Sequence, residues 1–361
     1  MVQNMENKEY ISLISDLSNA NGVSGFEDEV LEVIKAHTDK LGKGNRDSLL
    51  NYYLEDGRDP SLPLVHLDCH TDEVGFMVKA IRSDGMLEFT TIGGWVVSNI
   101  PAHTVRVQNA DGHYVLGVIA SKPPHYMTEA EKKAPLDISS LVIDVGATSR
   151  EEIIEDYRIR IAAPVVPDVT AVYDEKHDRI FGKAFDNRMG CASVISVMKE
   201  LEGEKLNVRL TGAFASQEEV GVRGATVTAN HVKADVAIVF EGCPADDTVV
   251  PDYQIQTAIG KGPMLRHIDA RMITNPRFQR FALNTAYELG IPVQEAVRTG
   301  GSTNGSVINL SNMGVPAIVI GIPVRYAHTH YGISSVSDFS NGVKLAKEII
   351  RRLDKDIIGS F

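Results

Sequence analysis

Apolar positions along this chain switch repeatedly between a helical spacing and the short dense runs of buried strands. Val30, Leu31 and Ile34 recur at helical spacing, and Ser24 with Glu27 ahead of them fits a capping box. Leu64-Val65-His66-Leu67-Asp68 follows Pro63 and is apolar almost throughout, as a strand buried on both faces would be. Leu206, Val208 and Leu210 alternate, predicting a strand over 207–215. Further runs predict strands over 236–240 and 317–320, with helices over 187–201, 276–289 and 337–353. Strands that alternate with helices imply an α/β fold whose sheet is mostly parallel and covered on both faces.

Between about Glu73 and Pro167 the texture changes. Turn signals at Ser83-Asp84-Gly85 and at Asn109-Ala110-Asp111-Gly112 break short β-rich runs. Val105-Arg106-Val107 and Tyr114-Val115-Leu116-Gly117-Val118 flank the second turn as a hairpin. The expected organisation is a main domain in two parts, 1–73 and 168–361, interrupted by a small β-rich insertion at 74–167. Residues 122–135, rich in proline and charge, read as an exposed loop.

Composition narrows the function classes. Lys plus Arg total 36 against 48 for Asp plus Glu, a net charge of −12, which repels phosphate backbones and anionic membranes. No nucleic-acid or membrane partner is expected. No apolar run approaches a membrane span, and Met1-Val2-Gln3-Asn4-Met5-Glu6 lacks the charged-then-apolar pattern of a leader. The odd count of three scattered cysteines, Cys69, Cys191 and Cys243, fits reduced thiols in a cytoplasmic protein. Cys69 is read as an inert buried thiol, because no Cys-x-x-Cys spacing accompanies it.

The chemistry collects at predicted strand ends, where ligands of open α/β sheets bind. His70 and Asp72 follow the first buried strand, and Asp186 precedes a helix. Glu218 and Glu219 follow the 207–215 strand, Glu241 ends the 236–240 strand, and His328 follows the last one. Adjacent carboxylates such as Glu218 and Glu219 raise each other's pKa, a cost removed when a cation claims one and leaves the other as a base. Imidazole and carboxylate donors without a thiolate set suit Zn(II), Co(II) or Mn(II). A two-metal hydrolase needs one carboxylate between the ions, ligands on each outer face and a base that is not a ligand. His66 and Asp68, which repeat the His-x-Asp spacing inside the strand, and His330 are read as structural.

The sequence resembles the tetrahedral aminopeptidases, co-catalytic metallopeptidases that include glutamyl aminopeptidases and an endoglucanase-like branch. The resemblance rests on six ordered motifs: residues 70–78 (HTDEVGFMV), 182–188 (GKAFDNR), 217–221 (QEEVG), 259–263 (IGKGP), 290–294 (GIPVQ) and 323–328 (PVRYAH). It implies a three-layer metallopeptidase domain with a PDZ-like dimerisation insertion, and dimers that assemble into a tetrahedral dodecamer. It also implies two divalent metal ions per subunit, Zn or Co foremost. Carried over residue by residue, Asp186 bridges the ions, His70 and Glu241 complete one site, and Glu219 and His328 complete the other. Glu218 becomes the general base and Asp72 orients His70. The substrates implied are short peptides with a free N-terminus, whose α-amino group occupies an open metal position.

Two positions depart from the family pattern. Glu241 stands where Asp is usual, and Gly300-Gly301-Ser302-Thr303-Asn304-Gly305 replaces a Gly-Gly-Thr-Asp-Ala pattern, putting an amide where a carboxylate is expected. Two competing readings are a two-metal N-acyl amino acid deacylase and a catalytically lapsed assembly protein of the same fold. A glycosidase is disfavoured, since that chemistry uses a carboxylate pair flanking a sugar. Arg298 and Arg325 are candidates, by chain position, for contacting an acidic substrate side chain.

Overall fold

The computed structural model describes residues 2–361, with side chains from residue 7 onward, so the reading of Met1–Glu6 falls outside the described side chains. Helices α1 (Val2–Asn19) and α2 (Asp28–Thr38) precede strands β1 (Lys43–Arg46), β2 (Tyr52–Glu55) and β3 (Leu64–His70). The chain then departs through β4 (Gly75–Ile81), β5 (Leu87–Ile92), β6 (Thr104–Gln108), β7 (Tyr114–Ala120), α3 (Glu129–Lys133), β8 (Val142–Asp144), α4 (Arg150–Glu155) and β9 (Pro164–Pro167). It returns through β10 (Val172–Asp174), β11 (Arg179–Gly182), α5 (Phe185–Glu200), β12 (Arg209–Ala215), α6 (Arg223–Val232) and β13 (Val236–Pro244). The last part comprises β14 (Met264–Ile268), α7 (Pro276–Glu288), β15 (Gln294–Val297), α8 (Gly305–Ile308), β16 (Ala317–Val324), β17 (Gly332–Ser334), α9 (Val336–Arg352) and α10 (Lys355–Gly359).

Eight strands form the main sheet in the order β1-β2-β12-β3-β13-β16-β14-β15. Its centre, β12-β3-β13-β16, is parallel, while β1-β2-β12 and β16-β14 pair antiparallel. The central strands have no solvent-facing side: β3 and β16 are buried at every residue. Odd and even positions therefore pack into different layers. Val65, Leu67, Cys69, Val236, Ile238 and Phe240 join the core beneath α1, α2, α5, α7 and α9. Ala237 and Val239 face the other way, toward α6 and α8. Helix α9 shows how the pattern works locally. Ser335 caps it by accepting from the Asp338 amide, and Phe339, Val343, Ala346, Ile349 and Ile350 form its buried stripe. Each fully buried Leu, Ile or Phe contributes about 1.5–3 kcal/mol relative to exposure.

Strands β4–β9 close into a six-stranded barrel, order β4-β5-β8-β7-β6-β9, around Phe76, Leu87, Val105, Ile119, Ile143 and Val165. On β7 the period of two is plain: Ile119 is fully buried, while Tyr114, Leu116 and Val118 point outward and are exposed.

Three expectations change. The 122–135 segment is exposed as read but includes α3, whose Thr128 and Glu131 form a complete capping box. The apolar runs at 236–240 and 317–320 underestimate their strands, which extend to Pro244 and Val324, so Glu241 lies inside a strand rather than at its end. Ser24 and Glu27 do not cap α2, whose first turn receives no side-chain hydrogen bond. Stronger partners take them: Ser24 Oγ donates to Asp72 Oδ2 at 2.6 Å, and Glu27 Oε1 accepts from the amide of Gln217 at 3.1 Å.

Candidate metal centre

Backbone pairing brings the candidate residues together. The parallel register places Ala215 of β12 opposite His70 of β3, so the turn holding Glu218 and Glu219 starts level with that histidine. On the other side Val239 pairs with Asp68; two residues on, Glu241 projects from the same sheet face as His70. Its Oε1 lies 3.3 Å from His70 Nε2.

Asp186 arrives from the start of α5, where the helical conformation is interrupted at Asp186 and Asn187 and the peptide between them is cis. The Asn187 side chain stitches this segment to β13, donating to Phe240 O at 2.8 Å and accepting from Gly242 N at 3.0 Å. Gly242 permits the approach, because a Cβ there would stand 2.0 Å from Phe185 O. Asp186 then turns one oxygen to each histidine: Oδ1 is 3.0 Å from His70 Nε2, and Oδ2 is 3.3 Å from His328 Nε2. His328, in the β16–β17 loop with a left-handed φ of 61°, also lies 3.3 Å from Glu219 Oε2. The result is two half-sites about one carboxylate, His70 with Glu241 and His328 with Glu219.

The remaining candidates surround this core. Asp72 Oδ1 lies 3.3 Å from His70 Nδ1 and accepts from the Glu218 amide at 2.9 Å, while Oδ2 accepts from the Glu219 amide at 3.1 Å. Glu218 stands half-buried beside the cluster. Burial pushes its carboxyl up to about 9, with Glu241, Glu219 and Asp72 adding to the rise and His70 opposing it. Burial likewise raises Glu219 and Glu241. Burial works against charging His328, yet the carboxylates of Asp186 and Glu219 raise it to about 11. Despite its own burial, Asp186 is held well below the usual carboxylate range by hydrogen bonds to His328 and His70.

This donor set fits divalent cations. Donor atoms of His70, Asp186 and Glu219 lie within 4.8 Å of one another. Glu219 Oε1 and Glu241 Oε2 are buried without a hydrogen-bond partner among the described residues. Anionic oxygens buried without donors are costly unless a cation claims them. All five donors are imidazole or carboxylate, the set that suits Zn, Co or Mn.

Residues read as structural supply no donor to this cluster. His66 and Asp68 are buried within β3, with His66 Nε2 3.4 Å from Asp68 Oδ2. His330 is stacked on His103 at 4.0 Å between ring centroids and meets Trp95 edge-on. Cys69 and Cys191 are buried free thiols behind the site, their sulfurs 3.8 Å apart. The two arginines nominated by chain position each hold an ion pair: Arg298 with Asp246 at 3.1 Å, and Arg325 forked onto Asp247 at 2.9 and 2.6 Å.

Sequence reasoning missed Asn187, Gly242 and a buried ionic knot behind Asp72. In that knot Lys183 Nζ donates to both oxygens of Glu73, at 2.6 and 2.8 Å, and Arg188 reaches Glu73 Oε1 at 3.2 Å. Arg188 also binds the carbonyls of Leu17 and Ala20 at 2.6 and 2.9 Å, tying the end of α1 to the segment just after β3. The Asp186-Asn187-Arg188 run was the available signal, since three polar residues opening an otherwise apolar helix require partners.

Comparison with known proteins bears on the same centre. Residues 52–345 match the M42 glutamyl aminopeptidase family. A glutamyl aminopeptidase of Lactococcus lactis is 29% identical over 357 residues, covering 98% of this chain and 99% of that protein. The crystal structure of a TET aminopeptidase from a marine sediment Thaumarchaeota archaeon superposes with a TM-score of 0.93 at 34% identity, covering 98% of this chain and 99% of that one. The Pyrococcus horikoshii TET1 peptidase, which can assemble into a tetrahedron or a large octahedral shell, gives 0.85 at 26% identity over 95% of this chain and 100% of that one. Among the described residues no helix is long and apolar enough to cross a membrane.

Proposed function

Because this chain belongs to the M42 glutamyl aminopeptidase family, and is thus a metal-dependent hydrolase of N-terminal peptide bonds, we propose that its centre holds two divalent cations about Asp186. His70 and Glu241 would serve one cation, His328 and Glu219 the other, with Glu218 as the general base. One observation carries the reading: the two oxygens of Asp186 face different histidines, and each histidine has a second carboxylate at 3.3 Å. Bound there, such cations supply Lewis acidity toward a peptide carbonyl and acidify a water.

The protein's own residues do the rest. Glu218 has no role as a donor in either half-site, so with cations neutralising its neighbours its carboxylate is left free to accept a proton from water and return it to the leaving amine. Asp72 fixes the ring of His70 and, through two backbone amides, the turn carrying the base. The negative surroundings of the cleft favour substrates that present a cationic α-amino group, as short peptides with free N-termini do.

Glu218→Gln should retain both metals and lose ~10²–10⁴ in kcat, the usual worth of general acid–base transfer. Asp186→Ala should lose metal, read by elemental analysis. Full turnover by Glu218→Gln at unchanged metal content would remove the base assignment. We also propose self-association through the outer face of β7, where Leu116 is 60% exposed, toward an assembly such as the tetrahedron of the Pyrococcus peptidase. Native mass spectrometry of Leu116→Glu would test it, with an unchanged oligomer counting against that face. A cytoplasmic location is part of the same reading, resting on the free thiols.

A further inference from the structure

The Ser24–Glu27 segment, freed from capping α2, supports something else. Glu27 is fully buried, and its Oε1 accepts from Gly25 N at 2.9 Å and Gln217 N at 3.1 Å. Its Oε2 has no hydrogen-bond partner among the described residues. Asp72, immediately beside it, accepts from the next two amides, Glu218 N and Glu219 N, and from Ser24 Oγ. Three consecutive amides of one turn are thus consumed by two carboxylates standing behind it. Gln217 holds a φ of +54°, a left-handed conformation unfavourable for a non-glycine residue that persists only when its surroundings impose it. With the amides facing backward, Glu218 and Glu219 are left to the open side of the turn, where Glu219 meets His328.

We infer that Glu27 is a positioning residue for the reaction: by holding Gln217 in its left-handed conformation it aims Glu218 and Glu219 into the metal centre. Burial, reinforced by the neighbouring Asp72, pushes the Glu27 carboxyl up to about 7, so the fold retains this acid in an environment that resists its ionisation. A residue needed only to begin α2 would be better placed as an ordinary N-cap facing its own helix.

The inference rests on the proposed role of Glu218, and the test separates the two. Glu27→Asp keeps the charge but shortens the reach to Gln217, whereas Glu27→Gln keeps an oxygen in place to accept. Loss of such outer supports commonly costs ~10–100-fold in activity or metal affinity. Glu27→Asp should therefore lower kcat by about tenfold or more with little change in KM. It should also release one of its two metals about tenfold more readily to a chelator, through displaced Glu219. Glu27→Gln should stay close to the parent in both readouts. Parental kcat and metal retention in Glu27→Asp, or equal damage in Glu27→Gln, would overturn the inference. A merely structural role would lower the melting temperature and leave kcat of the folded enzyme unmoved, which also overturns it. Glu218→Gln assayed alongside keeps the outcomes distinct. An inactive Glu218→Gln with a normal Glu27→Asp removes only the Glu27 role. An active Glu218→Gln removes the base assignment and leaves the metal-retention readout to decide on Glu27.

Discussion

Replacing Asn304 by Asp would restore the residue that the family pattern places in this loop, and it should damage the protein. Asn304 Nδ2 donates to Asp68 Oδ1 at 2.7 Å, with both residues essentially excluded from solvent. In Asn304→Asp two carboxyl groups would meet at that separation, and at neutral pH one of them must hold a proton. Keeping a carboxyl with an ordinary pKa of about 4 protonated at pH 7 costs about 1.4 kcal/mol per unit, hence about 4 kcal/mol in all. For a chain of 361 residues, with an unfolding entropy of about 2.1 cal/mol/K per residue, that is a fall of about 5 °C in Tm. The sign with pH follows from linkage. The introduced group has a folded pKa above its unfolded one, so the loss is absent below about pH 4 and grows as pH rises toward 7. Thermal unfolding by circular dichroism at pH 5 and pH 7.5, at fixed protein concentration, should show a larger gap from the parent at the higher pH. Adding Asp68→Asn leaves a single carboxylate across from an amide and should recover most of the lost stability. If Asn304→Asp matched the parent at pH 7.5, or the double variant fared no better than the single one, the pairing of Asp68 with Asn304 would not be what fixes this loop.

Other outcomes are equally direct. In the metal-free protein at pH 7 His70 and His328, each raised, despite burial, by its flanking carboxylates, and Glu241, raised by burial, all carry protons that ligation must displace. Metal binding should accordingly release on the order of three protons per subunit and tighten as pH rises. Calorimetry in two buffers of different ionisation enthalpy measures this directly, and zero net release would contradict the ligand set. Glu73→Gln leaves Lys183 and Arg188 as buried cations without their carboxylate and should cost about 3–5 kcal/mol. The urea midpoint reports that loss, Lys183→Met in combination should return part of it, and an unchanged midpoint would show that the knot carries no stability.

What the sequence disclosed, and what it hid, follows from the range of the interactions. His70, Asp186, Glu219 and His328 were legible because metal-type residues at the ends of apolar runs are rare, and parallel strands deliver their ends to one crevice. The strand bearing Glu241 was cut short, since a carboxylate reads as the end of an apolar run when the partner that buries it, His70, is 171 residues away. Ser24 and Glu27 were misread because Ser-x-x-Glu looks the same whether the glutamate faces its own helix or, as here, an amide 190 residues on. Asn187 and Gly242 act through backbone contacts that no local pattern encodes. Strands β14 and β15, of five and four residues at the far edge of the sheet, are too short to impose a period.

Both crossings between the main sheet and the barrel border a pocket beside the candidate metal centre: Val74 and Pro167 line it together with Asp186, Tyr326 and His328. The barrel also sends Gly93 and Gly94 over it, where a Cβ on Gly94 would stand 3.2 Å from His328 Nδ1 and one on Gly93 would crowd Val74 and Glu219. The appendage and the candidate centre thus share a wall. On the proposed roles, grafting or trimming the barrel would retune hydrolysis as well as assembly, and an engineer who wants one without the other must leave that glycine strip untouched.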